Sequence, residues 1–198
     1  MKDFNEFEVT MESRFPLQES DPNDFVIDYK MSLWQYSKRA DGIHAGYLRA
    51  FVVRCEDAEE AGEDLFSVFD AHSQELSECY SALYGDDTNP WVLSMFDISW
   101  VDNLLYVDLC VIAPQFRGRK LGRQLLYKAC QTIGSGCTVV ACNPGVPRKQ
   151  TAEYDAPLDW LENNPWTLTG LRKHWEQMGF RGVPRHEIFA ALTAELHP

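Results

Sequence analysis

Apolar and polar residues alternate along Phe7-Glu8-Val9-Thr10-Met11-Glu12, the period of a strand with one buried face. Two longer runs, Phe25 to Tyr36 and Ala45 to Arg54, continue the strand reading. Asp41-Gly42 between them predicts the turn of a hairpin. From residue 58 to 84 the period changes. Leu65, Phe66, Phe69, Leu76, Tyr80 and Leu83 share one helical face with acids opposite, which predicts a helix that Gly85-Asp-Asp ends. His72, beside that stripe, reads as a packed, hydrogen-bonded histidine.

The pattern then predicts strands over Trp91 to Trp100 and Leu104 to Ala113, joined at Val101-Asp102-Asn103 and closed by Pro114. A helix follows, with Leu121, Leu125, Leu126, Ala129 and Ile133 on one face, and Gly134-Ser-Gly136 stops it. Thr138 to Cys142 is wholly apolar, as in a strand covered on both faces. Residues 144–166 carry four prolines together with Tyr154, Trp160 and Trp166 and sustain no period. A loop of that length is either a functional lid or a segment packed by its own tryptophans. Thr167 or Thr169 can cap a last helix whose inner stripe is Leu168, Leu171, Trp175 and Met178, ended by Gly179. Ile188 to Leu192 is a final strand. This order predicts a single mixed α/β domain over 1–198, with a less typical strand region at 1–57.

Composition narrows the classes. Hydrophobic residues make up 45% and charged residues 24% of 198 positions, which suits a globular chain. The polar start and the lack of a long apolar run predict neither a secretory signal nor a membrane span, so a cytoplasmic location is expected. The six cysteines show no CxxC pair and mostly sit in apolar stretches, which predicts buried free thiols and no metal site. A net charge of −12 argues against nucleic acid and anionic lipid as partners, and is compatible with a cationic one. Against that background, Arg117, Arg119, Lys120 and Arg123 cluster within seven positions.

That cluster sits between a strand ending at Pro114 and a helix. The first N–H groups of a helix have no partner within it, and the macrodipole adds positive potential there. Gly118 and Gly122 let a ligand approach the backbone. The string is neither a P-loop nor a GxGxxG fingerprint. By itself it marks an anion-binding helix start, and a solvated basic turn would read the same way.

The wider stretch Leu109-Cys-Val-Ile-Ala-Pro-Gln-Phe-Arg-Gly-Arg-Lys-Leu-Gly-Arg-Gln-Leu-Leu126 resembles motif A of the GCN5-related N-acetyltransferase (GNAT) superfamily. Arg117 takes the Gln/Arg place and Gly122 the last Gly/Ala place. Lys120 stands where a middle glycine is usual, and it can donate its backbone N–H if its conformation is helical. Leu171 to Phe180 resembles motif B, which ends in Gly-Phe. The two resemblances span about residues 92–192. They imply a splayed central β-sheet flanked by helices, with acetyl-coenzyme A as co-substrate. They also imply that backbone of Cys110, Val111 and Ile112 holds the pantetheine arm. Backbone of Arg117, Gly118, Arg119, Lys120, Leu121, Gly122 and Arg123 would hold the pyrophosphate, with Asn143 at the mouth of the splay.

The implied reaction is attack of a primary amine, on a small molecule or a peptide, on the thioester. The family's usual tyrosine acid is replaced by Trp175, which has no proton to give, so Tyr154 or a water takes that role. Tyr106 occupies the place where histone-acetylating members carry glutamate. In a regular strand, Tyr106, Asp108 and Cys110 share a face, and Asp108 is the expected base, unless it only bonds neighbouring backbone. Two other readings stay open: a non-catalytic acyl-coenzyme A module that senses or regulates, and an interaction domain using the aromatic loop. The acceptor and the oligomeric state, a homodimer included, are not readable.

Overall fold

A computed structural model describes residues 6–17, 19–37, 40–85, 91–99, 101–145, 160 and 167–196. The chain begins with an antiparallel meander, β1 (Glu6–Arg14), β2 (Val26–Ser37) and β3 (Ala40–Val53). Phe7 and Val9 turn inward from β1 as their alternation requires. The β2–β3 ladder runs out to Ser37↔Ala40, so the chain reverses before Asp41-Gly42, which lies inside β3. Gly42 serves a close approach instead: a Cβ there would come within 2.6 Å of the Tyr36 ring.

The long helix predicted over 58–84 is three helices, α1 (Cys55–Glu60), α2 (Leu65–His72) and α3 (Gln74–Leu83). Capping chemistry divides them. Gly62 takes a left-handed φ of 83° just after α1. The Asp64 carboxylate accepts the Ser67 N–H at 2.9 Å to start α2, and the Ser73 hydroxyl accepts the Leu76 N–H at 3.2 Å to start α3. Phe66 falls outside the buried stripe, while Phe69, Leu76 and Leu83 are fully buried.

The strand predicted from Trp91 is also corrected. Trp91–Phe96 is a helix, α4, in which Val92 and Phe96, four positions apart, are both buried. A short apolar run fits either period, and here the helical one wins.

β4 (Leu104–Ile112) leads through a tight turn at Pro114–Phe116 into α5 (Leu121–Thr132) and then β5 (Val139–Cys142). The Thr167 hydroxyl accepts the Gly170 N–H at 3.1 Å and caps α6 (Leu168–Glu176). Leu171 and Met178 turn inward from this last turn of chain, but Leu168 is exposed. β6 (Arg181–Gly182) and β7 (Phe189–Leu192) complete the sheet.

The described strands form one seven-stranded sheet in the order β1-β2-β3-β4-β5-β7-β6, with β4–β5 its parallel pair. That pair lasts only from Leu104↔Val139 to Val107↔Cys142, whereas β4 stays bonded to β3 as far as Ile112. Beyond Val107 the two strands part. The fold is therefore the mixed α/β type with a splayed central sheet flanked by helices. Leu105 and Val107 pack towards α5, while Leu104 and Tyr106 pack towards α2 and α3, so each sheet face carries its own core. Each large side chain buried there contributes about 1.5–3 kcal/mol of transfer free energy. The six cysteines are free, and all but half-buried Cys110 lie in the interior.

Candidate functional site

The parting of β4 from β5 opens a cleft of about 270 Å³ between the end of β4, the start of α5 and the inner side of α6. Its walls are largely apolar, with Cys110, Ile112, Leu126, Leu171, Trp175 and Met178, and the basic residues Arg117, Lys120 and Arg123 border it. Val111, Gly118, Leu121 and Gly122 line it too.

Several features of the turn suit an anion. α5 begins without a side-chain cap, and its first intrahelical bond is Gln124 N–H to Lys120 C=O at 3.1 Å. The N–H groups of Leu121 and Gly122 therefore precede the helical ladder. Gly118 has φ 76°, and a Cβ there would meet nothing within 4 Å, so backbone conformation rather than packing demands glycine. Lys120 departs from the expectation. It is left-handed, φ 60°, not helical, which is the conformation a glycine at this place would take without strain.

The charges divide their tasks. Arg117 turns back onto the protein: its Nε donates to the Ile112 carbonyl at 3.0 Å and an Nη to the Trp160 carbonyl at 2.7 Å. Burial lowers its pKa. Ala113 N–H donates to Ala45 C=O at 3.0 Å on the β3 side, so by alternation the groups of Ile112 and Cys110 turn towards the gap. Arg117 thus already occupies the Ile112 carbonyl that the resemblance reserved for a ligand. Arg119 lies over the rings of Phe7 and Phe116, at 5.1 and 6.0 Å, and does not line the cleft. Asn143 accepts the Gly145 N–H on its own side-chain oxygen at 3.0 Å and is likewise not a lining residue.

Tyr106, Asp108 and Cys110 do not share a face. The β3–β4 register shifts between Arg49 and Ala50, which pair with Leu109 and Val107, leaving Asp108 as the extra residue of a β-bulge. The bulge inverts the alternation. Cys110 points to α5, its Sγ 3.8 Å from the Gly122 carbonyl, and burial pushes its thiol up to about 12. Tyr106 and Asp108 stay on the other face. Tyr106 stacks on Phe51, with centroids 6.3 Å apart, and burial holds its phenol protonated.

Asp108 belongs to a charged group at the point where the strands part. Arg49 lies 3.7 Å from Asp108 and 2.9 Å from Asp28, and its guanidinium covers the Phe51 ring at 4.9 Å. His72 is edge-on to the same ring at 4.5 Å, with Nδ1 2.8 Å from Asn23 Oδ1. Burial lowers its pKa, so it is the packed, hydrogen-bonded histidine expected. Asp28 and Arg49 carry no sequence motif; only strand register brings them to Asp108.

Trp175 has a double role. It stands edge-on to Phe180 at 4.8 Å, as a core residue would, yet it also lines the cleft. With Leu171, also of the expected inner stripe, it forms an α6 wall to which His174, which no motif marked, belongs as well. Tyr154 lies outside the described residues, as does most of the 144–166 loop. Trp160 is described: it is buried against His44, which in turn stacks on Trp34, with centroids 5.0 and 4.8 Å apart. Among the described residues no His, Cys, Asp and Glu group could hold a metal, and no helix is long and apolar enough to cross a membrane.

No protein-family model matches the chain, and no curated protein matches it. Among solved structures it is similar to arylalkylamine N-acetyltransferase 2 from Aedes aegypti, 15% identical over 82% of this chain and 73% of that one, with a TM-score of 0.39. An agmatine N-acetyltransferase matches at 14% identity over 82% and 75%, TM-score 0.42. The Drosophila melanogaster polyamine N-acetyltransferase, described as forming N-acetylagmatine, matches at 14% over 82% and 74%, TM-score 0.40.

Proposed function

We propose that this chain binds acetyl-coenzyme A in the cleft and transfers the acetyl group to a primary amine. The observation that carries the reading is the parting of β4 and β5 after Val107↔Cys142 with a basic, uncapped helix start at the end of the opened strand. The residues fit the ligand's chemistry. An apolar channel suits the pantetheine arm, Cys110 backbone faces the gap, and the turn from Gly118 to Arg123 offers backbone donors and positive charge to phosphates.

Acetyl-coenzyme A supplies an activated acetyl thioester. The acceptor approaches from the opposite sheet face, where Asp28, Arg49, Asp108 and Tyr106 meet. Asp108 accepts a proton from the attacking amine, directly or through water, and Arg49 fixes its carboxylate. Tyr106 keeps its proton and acts as a hydrogen-bond donor. Tyr154 or a water protonates the departing thiolate. The chain's net charge of −12 favours a cationic acceptor, a small amine or a basic peptide end.

A second reading, binding without transfer, draws on Trp175 in the place of the usual acid. Two measurements decide. Acetyl-coenzyme A at about 100-fold over its Kd stabilises the chain by about 2.7 kcal/mol in thermal unfolding; no shift sinks both readings. Free thiol release across a panel of amines then supports transfer, and stabilisation without any release leaves only the binding module.

A further inference from the structure

β1 closes one edge of the sheet, and among the described residues no strand lies beyond it. Proteins commonly protect such an edge with a lysine, a proline, a bulge or a short strand, because its outer N–H and C=O groups can pair with another chain. β1 has none of these. It runs nine residues, pairs with β2 without a register shift, and contains neither lysine nor proline. Phe7, Val9 and Met11 fall on one face by alternation. Phe7 and Val9 pack against the core, whereas Met11 is 50% exposed and Phe15, just past the strand, 70%. The other face carries Glu6, Glu8, Glu12 and Arg14, all exposed.

This charge pattern selects the occupant. When two identical strands pair antiparallel about a two-fold axis, residues equally far from the axis meet on one face. An axis at Phe7 sets Glu6 against Glu8, one at Val9 sets Glu6 against Glu12, and one at Thr10 sets Glu8 against Glu12. An axis at Glu8 or Glu12 sets that residue against its own copy. At Ser13 the strands overlap only from Glu12 to Arg14. An axis at Met11 keeps Glu8 to Arg14 paired and brings no like charges together. Glu8 meets Arg14 twice, Thr10 meets Glu12, Met11 covers Met11, and Phe15 reaches Phe7.

We propose that β1 docks on β1 of a second copy of this chain, antiparallel and centred on Met11, so that two seven-stranded sheets join edge to edge. The axis stands perpendicular to the joined sheet, and the faces that carry Asp108 lie on its same side. This assembly does not depend on the coenzyme A reading.

Sedimentation equilibrium of the full chain tests it. The wild type should pass from monomer to dimer with rising concentration, and added salt should weaken the dimer because the charge pairs are exposed. Arg14→Glu turns two attractive contacts into two repulsive ones and should weaken dimerisation at least about tenfold. Adding Glu8→Arg to that variant restores the pairs and the dimer. The register has its own test. Facing Met11 positions stand about 4.5–5.5 Å apart between Cα atoms, within disulfide reach. Met11→Cys should therefore form a covalent dimer with oxidised glutathione, while the wild type, whose cysteines are buried or half-buried, should not. A wild type that stays monomeric at millimolar concentration overturns the proposal, as does a dimer that Arg14→Glu leaves unchanged. Faster cross-linking by Thr10→Cys than by Met11→Cys overturns the register.

Discussion

Lys120 holds φ 60° and ψ 15° at the head of α5, a conformation that costs an L-residue about 1–2 kcal/mol. Lys120→Gly removes that strain but gives the unfolded chain more freedom, so a net stabilisation of about 0.5–1 kcal/mol is expected. A higher urea midpoint checks it; a lower one means that the lysine side chain contributes more than its backbone costs. Coenzyme A affinity should fall in the same variant, since a cation at the cleft is lost. Asp108 is the other decisive residue. Replacing it with asparagine preserves shape and removes the proposed proton acceptor, and on that proposal turnover should drop at least about 100-fold. An unchanged rate ends its assignment as base. Because Asp108 faces away from the cleft, coenzyme A affinity in this variant should stay close to wild type.

Between elements, Arg117 works as a staple. One guanidinium bonds the carbonyl that ends β4 and the carbonyl of Trp160, 43 residues later in the chain. Trp160 is held in turn by His44 of β3. Arg117→Ala should therefore cost about 1–3 kcal/mol, from two part-buried carbonyls losing a charged donor, as read from denaturant unfolding. Arg117→Lys should recover little, because one ammonium lacks the planar fork that meets both carbonyls. Full stability in the alanine variant would show the staple to be idle. The bulge in β4 acts at the same scale. One extra residue turns Asp108 and Cys110 to opposite faces, so that a cleft and a charged cluster can meet at the same point of one strand.

For the whole molecule, burial lowers the pKa of His44, His72 and His174 from the ordinary 6.5. Below that value the unfolded chain binds more protons at these positions than the folded chain does. Their contribution to stability is complete above about pH 6.5 and is lost as pH falls through the lowered folded values, by at most about 1.4 kcal/mol per pH unit for each ring. Solvent screening reduces this for half-buried rings. Unfolding by urea between pH 7 and 5 should show declining stability, with a shallower slope in His44→Asn. Stability that rises on acidification would contradict the burial of these rings. At His44 a charge would go unmatched, since its Nε2 is buried between two tryptophans and has no hydrogen-bond partner among the described residues.

Local chemistry determined much of this protein. Alternation in Phe7 to Glu12, the apolar stripe of α5, a threonine cap at 167 or 169 and the turn after Pro114 could be read from the chain because each depends on neighbours within a few positions. So could the cleft-forming turn, since a helix start needs only its own backbone to attract an anion. What adjoining residues cannot encode was decided by the fold. Strand register placed Asp28 and Arg49 beside Asp108, residues drawn from three strands. A single bulge, invisible to period counting, reversed the face of Cys110. Capping side chains cut the long amphipathic stretch at 58–84 into three helices, and burial of Val92 with Phe96 chose helix over strand for a run that fits both. The α6 wall with His174 became part of the site only when the sheet brought two helices, some 50 residues apart in sequence, to one cleft.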